Sequence, residues 1–427
     1  MQYYQFFLLL SDNICLYFVS LLLVTLPLIY IGVKFTRGWI DPLLYILIFV
    51  AFANAVPLFL FFINEIPSIF FYYFVCAETL FWFGFILLAK KEITLSKVRI
   101  IGEKKISSIL YYFIFFLYTT FTLFTYFKFG IPIFAESRLT TMEGSGGFGI
   151  LARFNNYFII YILMYSYFRF DQKRSILKNI VPLFSFLTIA ITGILSGSRG
   201  SFLIFIYTYF GYQYFFKSNV PSLKSITKYI PIVIGGAIII LLLTQSGSKS
   251  FSSAFFDLGY RFICTGDVYW MAYPNNAMSN VHLGSSFKYL FSGMLGPLRL
   301  IDNTQIPPPL GAQLNWYLNP SIYGIMAGPN ARPPVLGYVL FGWFGLFFSF
   351  FLGLFVSFLL FRLPRILPKG LITSTFVLYL YLSVQNFIGD PPLGMTYLFD
   401  ISINLIVLIV LIFGLQVFEN KYNMIKE

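Results

Sequence analysis

Long apolar stretches alternate with short polar connections along most of the chain, and this pattern predicts a bundle of membrane-spanning helices. A helix needs about 20 mostly apolar residues to cross the hydrocarbon core of a bilayer. Eleven stretches approach that length: residues 14–33, 42–63, 68–89, 108–127, 150–169, 180–196, 201–217, 229–244, 335–361, 370–388 and 396–418. We therefore expect an all-α polytopic membrane protein with about eleven transmembrane helices.

One long segment, residues 245–334, interrupts this pattern and divides the chain into three parts. Eight spans precede it in residues 1–244, and three spans with a polar C-terminus follow it in residues 335–427. The segment is rich in Pro, Gly, Asn and aromatic residues, and it holds the only histidine of the chain, His282. Because loops carry function on a rigid scaffold, we expect chemistry, gating or recognition here.

The composition supports the membrane class and excludes some other classes. Hydrophobic residues make up 58% of the chain and charged residues 11%, against roughly 25% charged residues in soluble domains. The net charge of +13 does not indicate a nucleic-acid partner, because cytoplasmic loops of membrane proteins collect Lys and Arg. Three cysteines far apart and one histidine argue against a zinc or iron–sulfur site. We expect no cofactor.

The distribution of Lys and Arg predicts the orientation of the spans. Of the 29 such residues, 20 lie in the odd-numbered connections and the C-terminus, 5 in the long segment and 4 in the other even-numbered connections. The N-terminus is therefore predicted outside and the C-terminus in the cytoplasm. The long segment then faces outwards, together with residues 128–149 and the turn around Arg199.

Two polar residues lie in the middle of predicted spans, Asn54 in the second and Glu78 in the third. The short turn between these spans leaves both at similar depth, so the two side chains could hydrogen-bond across the helical hairpin. An ionised carboxylate there would cost roughly 2.5–3.5 kcal/mol or more. A proton relay and a purely structural pair are the two interpretations.

Four short motifs on the predicted outer face carry charged residues. The first, residues 128–149, holds Arg138 and Glu143 among glycines and is followed at once by Arg153 in the next span; a solvated loop is the alternative. The second, LSGSRGS at residues 195–201, places Arg199 on the side with few positive charges, which suggests an anionic partner. The other two motifs lie in the long segment.

The third motif, residues 260–270, contains Arg261 and Asp267, which could pair with one another. Nearby aromatic residues could form faces for sugar rings or an interfacial belt; they are Tyr269, Trp270, Tyr273, Trp316 and Tyr317. The fourth motif, GPNARPPVLGYVLFGWFG at residues 328–345, places Arg332 just before a span. Position alone makes Arg332 an interfacial anchor or a ligand-binding residue.

The order of these motifs resembles Wzy-type oligosaccharide repeat-unit polymerases, the O-antigen and capsule polymerases of bacteria. The resemblance rests on GIPIF and EGSGG in the first motif, on LSGSRG in the outer turn, and on GPNARPPVLGYVLFGWFG at the end of the long loop. It covers most of the chain through the order of spans and loops. It implies a bacterial inner-membrane glycosyltransferase, with a GT-C-like architecture, that joins undecaprenyl-diphosphate-linked oligosaccharides at the periplasmic face. A chain-length regulator is a further implied partner.

Such an enzyme must assist departure of a diphosphate and deprotonation of an attacking hydroxyl. Arginine suits the first task, because its planar guanidinium binds phosphate oxygens through two parallel hydrogen bonds. The outer arginines are Arg138, Arg153, Arg199, Arg261, Arg299 and Arg332, and the resemblance implies that they bind the diphosphate without a metal. Glu143 and His282 are the first candidates for the base, and Asp267 is the third.

Two other functions compete with this interpretation. An O-antigen ligase uses the same donor, but its family carries a histidine near the end of the long loop, whereas His282 lies some fifty residues before that end. A lipid-linked oligosaccharide flippase or other permease should place its charges at the bilayer midplane. Only Glu78 is predicted there, so the polymerase is the preferred prediction.

Overall fold

The computed structural model describes residues 1–36, 38, 41–90, 104–134, 149–172, 179–197, 203–214, 259–367 and 370–426. Within these ranges the chain is helical and contains no β-strand. Seven described segments are long and apolar enough to cross a membrane: Ile14–Phe35, Pro42–Phe62, Ser68–Leu88, Ser107–Phe134, Pro333–Ile366, Leu371–Gly389 and Pro391–Leu415. The protein is therefore an all-α, multi-pass membrane protein.

We number the described α-helices in chain order. They are α1 Tyr3–Asp12, α2 Ile14–Phe35, α3 Pro42–Phe62, α4 Ser68–Leu88, α5 Lys104–Phe129, α6 Gly149–Asp171, α7 Ile180–Leu195, α8 Leu203–Tyr212, α9 Asp267–Ala272, α10 Ser286–Leu290, α11 Ser292–Leu295, α12 Leu310–Leu318, α13 Pro333–Phe341, α14 Gly345–Ser357, α15 Leu363–Ile366, α16 Leu371–Gly389 and α17 Pro391–Lys426.

Ten of the eleven predicted spans lie in described helical segments; nine of them each coincide with one helix, and the span at residues 335–361 covers both α13 and α14. Three of these ten, the fifth to the seventh, correspond to α6, α7 and α8, which are shorter or less apolar than the seven membrane-crossing segments. The predicted eighth span, residues 229–244, lies outside the described residues. The count of eleven and the division at residues 245 and 334 remain predictions.

The segment Pro333–Ile366 does not run as one straight helix, because the chain reverses at Gly342. Gly342 has φ 57°, a left-handed conformation that a residue with a side chain rarely adopts. After this turn α14 runs back along α13, and a Cβ at Gly345 would lie 2.3 Å from the Gly337 carbonyl oxygen. Sequence alone predicted one continuous span at residues 335–361, so the hairpin of α13 and α14 corrects that prediction.

The apolar core has two parts. The larger part joins the C-terminal half of α4 to α5, α6 and α16, with Phe85, Tyr161 and Phe361 among its fully buried rings. The second part joins the start of α4 and the end of α3 to α1, α9 and α13. Because the second part includes residues of the long segment, this segment packs as part of the protein interior.

Candidate functional site

Residues 259–273 enter the helical bundle beside α3, and we call them the re-entrant segment. The Thr265 hydroxyl donates to the carbonyl oxygen of Phe49 at 3.2 Å, and a Cβ at Gly266 would lie 2.7 Å from the carbonyl oxygen of Ala53. At 1.5 Å per residue, Phe49 lies about 20 Å along the helix axis from the last residue of α3. The segment therefore reaches the middle of α3 and does not rest on the end of the bundle.

The aromatic residues of the re-entrant segment hold it in place. Trp270 is fully buried and stacks on Phe6 of α1, with ring centroids 4.0 Å apart. Tyr273 is fully buried and stacks on Phe70 of α4 at 5.8 Å. Tyr269 is also fully buried. These three side chains are core residues, so both sequence interpretations, an exposed face for sugars and an interfacial belt, are wrong for them.

Four polar side chains meet where the re-entrant segment contacts α3, α4 and the start of α13, and we call Asn54, Glu78, Asp267 and Arg332 the central cluster. Asn54 hydrogen-bonds Glu78, as the sequence predicts. The Trp82 indole N–H donates to Glu78 Oε2 at 3.1 Å. The cluster thus joins the middle of two predicted spans to two residues of the long segment.

Arg332 is positioned by its backbone. The residue directly precedes α13, and the following Pro333 sets the backbone angle for the first turn of that helix. The amide N–H of the preceding Ala331 donates to Asp390 Oδ2 at 3.4 Å. The side chain is 5% exposed, and its Nε donates to the carbonyl oxygen of Thr265 at 2.8 Å. Arg332 therefore ties α13 to the re-entrant segment.

The terminal nitrogens of Arg332 make no hydrogen bond and no ion pair with any residue of the described part of the chain. Its charge nevertheless acts on both carboxyl groups of the cluster, Glu78 and Asp267. A buried guanidinium normally has partners for its five N–H groups. Two guanidinium nitrogens with no described acceptor can donate hydrogen bonds to the oxygen atoms of an anion.

Asp267 has the electrostatics of an acid–base group. Burial raises the pKa of its carboxyl to about 7, and the positive charge of Arg332 limits this rise. The Val268 N–H donates to Asp267 Oδ1 at 3.0 Å, which also favours the ionised form. Arg261 is exposed, and its charge also lowers the pKa of Asp267. Arg261 and Asp267 do not form the ion pair that the sequence allowed.

Asp390 connects the backbone beside Arg332 to α16 and α17. It lies between these helices, and its carboxylate accepts hydrogen bonds from the N–H groups of Leu393, at 3.2 Å, and of Ala331. Burial raises the pKa of this carboxyl, and the two N–H donors limit the rise. Asp390 therefore caps α17 and fixes the loop that presents Arg332.

Arg153 lies elsewhere, in contact with α17. Its guanidinium forms an ion pair with Asp400, and Asn404 donates to the carbonyl oxygens of both residues, at 3.4 Å to Arg153 and 2.8 Å to Asp400. The ion pair leaves Arg153 with less capacity for an anionic ligand than Arg332 has.

The other predicted site residues do not join the central cluster. His282 is exposed. Its backbone N–H donates to Gln313 Oε1 at 2.8 Å, and its ring Nδ1 lies 3.1 Å from the carbonyl oxygen of Asn280. Arg261 and Arg299 are exposed. Three predicted residues lie outside the described residues: Arg138, Glu143 and Arg199.

The sequence singled out every residue of the central cluster but did not predict that all four lie in one place. It treated Glu78 and Asn54 as an isolated pair, and it separated Asp267 from Arg332 by most of the long segment. The available signal was a pair of acidic residues, Glu78 and Asp267, in otherwise apolar surroundings. Among the described residues, no group of three or more His, Cys, Asp or Glu side chains is placed to hold a metal ion.

The fold and the central cluster define a multi-pass helical membrane protein with a re-entrant segment and a buried arginine beside two carboxyl groups. No family model matches the chain, and no curated protein or solved structure matches it either.

Proposed function

We propose that this protein is an oligosaccharide repeat-unit polymerase of the bacterial inner membrane. It transfers a growing glycan from undecaprenyl diphosphate to a hydroxyl of the next lipid-linked repeat unit, without a metal ion. The observation that carries the proposal is the central cluster, where the terminal nitrogens of Arg332 have no partner among the described residues and its charge acts on Asp267, whose pKa burial raises to about 7. The sequence resemblance to Wzy-type polymerases supplies the substrate class.

The orientation of the bundle is part of the proposal. The re-entrant segment and α13 pack mainly against the C-terminal half of α3 and the N-terminal half of α4, towards the end of the bundle where these two helices are connected. The bias of Lys and Arg along the sequence predicts that this end is periplasmic. Lipid-linked repeat units are polymerised on that side, so the proposal places the cluster in the half of the bundle that faces the compartment with the substrate.

Arg332 is the residue that stabilises the leaving group. As the bond between the anomeric carbon and the diphosphate oxygen breaks, negative charge grows on the diphosphate. A guanidinium held in place by Thr265 and by the first turn of α13 meets that charge without reorganisation. Preorganised donors at a developing charge are commonly the largest catalytic contribution, and an arginine binds phosphate oxygens in pairs.

Asp267 is the base. The attacking hydroxyl forms the new glycosidic bond and gives its proton to the Asp267 carboxylate, which then releases it to water. A base whose pKa lies near the working pH is efficient, because it is substantially ionised and still holds the proton well. Glu143 and His282, the first candidates from sequence, stay predictions. Asp267 is favoured because burial raises its pKa and because the charge of Arg332 acts on it.

Transport is the second candidate function, because Glu78 and Asn54 lie in the middle of two membrane-crossing helices. A carboxyl group in such a position is a common element of proton-coupled permeases. Under the polymerase proposal Glu78 is instead a structural residue that hydrogen-bonds Asn54 and Trp82.

Deletion of the gene, followed by electrophoresis of the surface glycan, distinguishes the candidates. If the product is O-antigen on lipid A core, loss of a polymerase leaves core plus one repeat unit and removes the ladder. Loss of a ligase gives bare core while polymer accumulates on undecaprenyl diphosphate. Loss of a flippase gives bare core with single units trapped on the cytoplasmic side. Bare core in the deletion strain would contradict the polymerase proposal.

A further inference from the structure

A second group of polar residues lies where α6, α16 and α17 meet, and we call Arg153, Tyr157, Tyr379, Asp400 and Asn404 the Arg153 cluster. The rings of Tyr157 and Tyr379 contact each other edge to face, with centroids 5.6 Å apart. The charges of Arg153 and Asp400 both act on Tyr379. Three helices therefore bring an ion pair and two phenol groups into one place.

The two phenol hydroxyls of this cluster have no hydrogen-bond partner among the described residues. Tyr157 is fully buried and Tyr379 is 3% exposed. Buried hydroxyls nearly always have a partner, because leaving one unpaired costs free energy. Beside them the Arg153 side chain is 26% exposed, so the cluster opens on that side. Unused hydroxyls next to an accessible ion pair indicate a ligand that brings hydrogen-bonding groups of its own.

The charge of the cluster selects the kind of ligand. Asp400 neutralises Arg153, so a diphosphate gains little attraction here and would be repelled by the carboxylate. In the central cluster the terminal nitrogens of Arg332 have no acceptor in the described ranges of the chain and can bind an anion. A carboxylate that accepts, a guanidinium that donates, and phenols that do both match the hydroxyl groups of a sugar.

We infer that the Arg153 cluster is a carbohydrate subsite that binds sugar residues of the glycan away from the reacting bond. The inference rests on the proposed polymerase function and changes the role of Arg153 from diphosphate binding to sugar recognition. Tyr379 lies ten residues before the last residue of α16, about 15 Å at 1.5 Å per residue, and Asp390 directly follows that helix. Asp390 contacts the backbone beside Arg332, so one extended oligosaccharide can reach both clusters.

Tyr379→Phe tests this subsite, because it removes one hydroxyl that makes no described hydrogen bond. Tyr73→Phe is the matched control: its hydroxyl is also buried and without a partner in the described part of the chain, but it lies against Gly345 between α4 and α14. Both variants are purified in lipid nanodiscs. The probes are the oligosaccharide without diphosphate, released by mild acid from the host's lipid-linked repeat units, and undecaprenyl diphosphate.

Saturation-transfer NMR and titration calorimetry measure binding of each probe to the full-length protein. We expect Tyr379→Phe to weaken oligosaccharide binding about five- to tenfold, in line with the loss of one hydrogen bond, and to leave undecaprenyl diphosphate binding unchanged. Tyr73→Phe should leave both affinities unchanged. Arg332→Lys should show the opposite pattern to Tyr379→Phe.

Three results would overturn the inference. They are absence of oligosaccharide binding to the wild type, equal oligosaccharide affinity of the wild type and Tyr379→Phe, and a selective loss of undecaprenyl diphosphate binding in Tyr379→Phe. If Tyr379→Phe does not fold, Tyr157→Phe provides the same measurement on the other hydroxyl. Polymer formation from lipid-linked units is recorded in parallel, so failure of the polymerase proposal is visible independently of failure of the subsite.

Discussion

Replacing Asp267 with asparagine should make the protein more stable at neutral pH while removing its activity. Asparagine has nearly the same shape and keeps an oxygen for the Val268 N–H, but it carries no charge. Burial raises the pKa of the Asp267 carboxyl from 3.8 to about 7. At 1.36 kcal/mol per pKa unit, the folded protein disfavours the ionised carboxylate by about 4 kcal/mol.

The sign of this effect sets its pH dependence. The folded state binds the Asp267 proton more tightly than the unfolded state does, so the stability of the wild type falls as the pH rises from about 4 to about 7. The asparagine variant lacks this loss. Its advantage over the wild type should therefore grow from near zero below pH 4 to about 4 kcal/mol above pH 7, and then stay constant.

Thermal unfolding in detergent micelles at unit steps between pH 4 and pH 8 measures this difference. Asp302→Asn is the matched control, because Asp302 is an exposed aspartate of the same long segment. The control should differ little from the wild type at every pH. A stability difference for Asp267→Asn that does not depend on pH, or a variant less stable than the wild type at pH 8, would refute the electrostatic reasoning.

Polymer formation by the same proteins tests the catalytic role. Loss of a general base lowers rates typically by 10²–10⁴-fold, so Asp267→Asn should form almost no polymer although it folds well. The wild-type rate should rise with pH and level off above about 7. Wild-type activity in Asp267→Asn would remove Asp267 from the mechanism and return attention to Glu143 and His282.

Four further predictions follow from the fold and the charges. Arg332→Lys keeps the charge but loses the paired hydrogen bonds, so polymer formation should fall at least tenfold, whereas Arg299→Lys, at an exposed site, should retain it; equal activities would make Arg332 an anchor. Polymerisation by the purified protein should persist in excess chelator. A loss of polymer formation that magnesium restores would contradict metal-free chemistry. In a background without native cysteines, Ser285→Cys should react with an impermeant maleimide in intact spheroplasts and Lys90→Cys only after permeabilisation; the reverse pattern would invert the topology. Gly345→Ala should lower stability by about 1–3 kcal/mol through overpacking, because its Cβ would lie 2.2 Å from the Tyr73 hydroxyl; unchanged thermal unfolding would contradict the tight contact between α13, α14 and α4.

Several features of this protein could be predicted from residue order alone. Runs of about 20 apolar residues specify membrane helices, because no other open structure satisfies the backbone in lipid. The sequence therefore predicted the all-α class and the positions of nine described helices, together with one span that the structure divides into α13 and α14. The Asn54–Glu78 contact was also predictable, because a short turn between two spans of equal length places their midpoints at one depth.

The central cluster depended on contacts between distant parts of the chain. Asp267 comes within the influence of the Arg332 charge because the re-entrant segment packs beside α3, where Gly266 allows a close approach to Ala53 and Trp270 stacks on Phe6. In the sequence this segment resembles any polar loop with aromatic residues. Nothing local distinguishes an aromatic side chain that enters a bundle from one that lies at the membrane surface.

Residue order by itself determined which segments are helical and apolar, since hydrophobic length and the distribution of Lys and Arg are local properties of the chain. Only the tertiary structure decided which charged residues act together. It paired Arg153 with Asp400, left the terminal nitrogens of Arg332 without a described partner, and exposed His282. The physical reason is that an arginine's availability to a ligand depends on its burial and its neighbours, and the folded packing sets both.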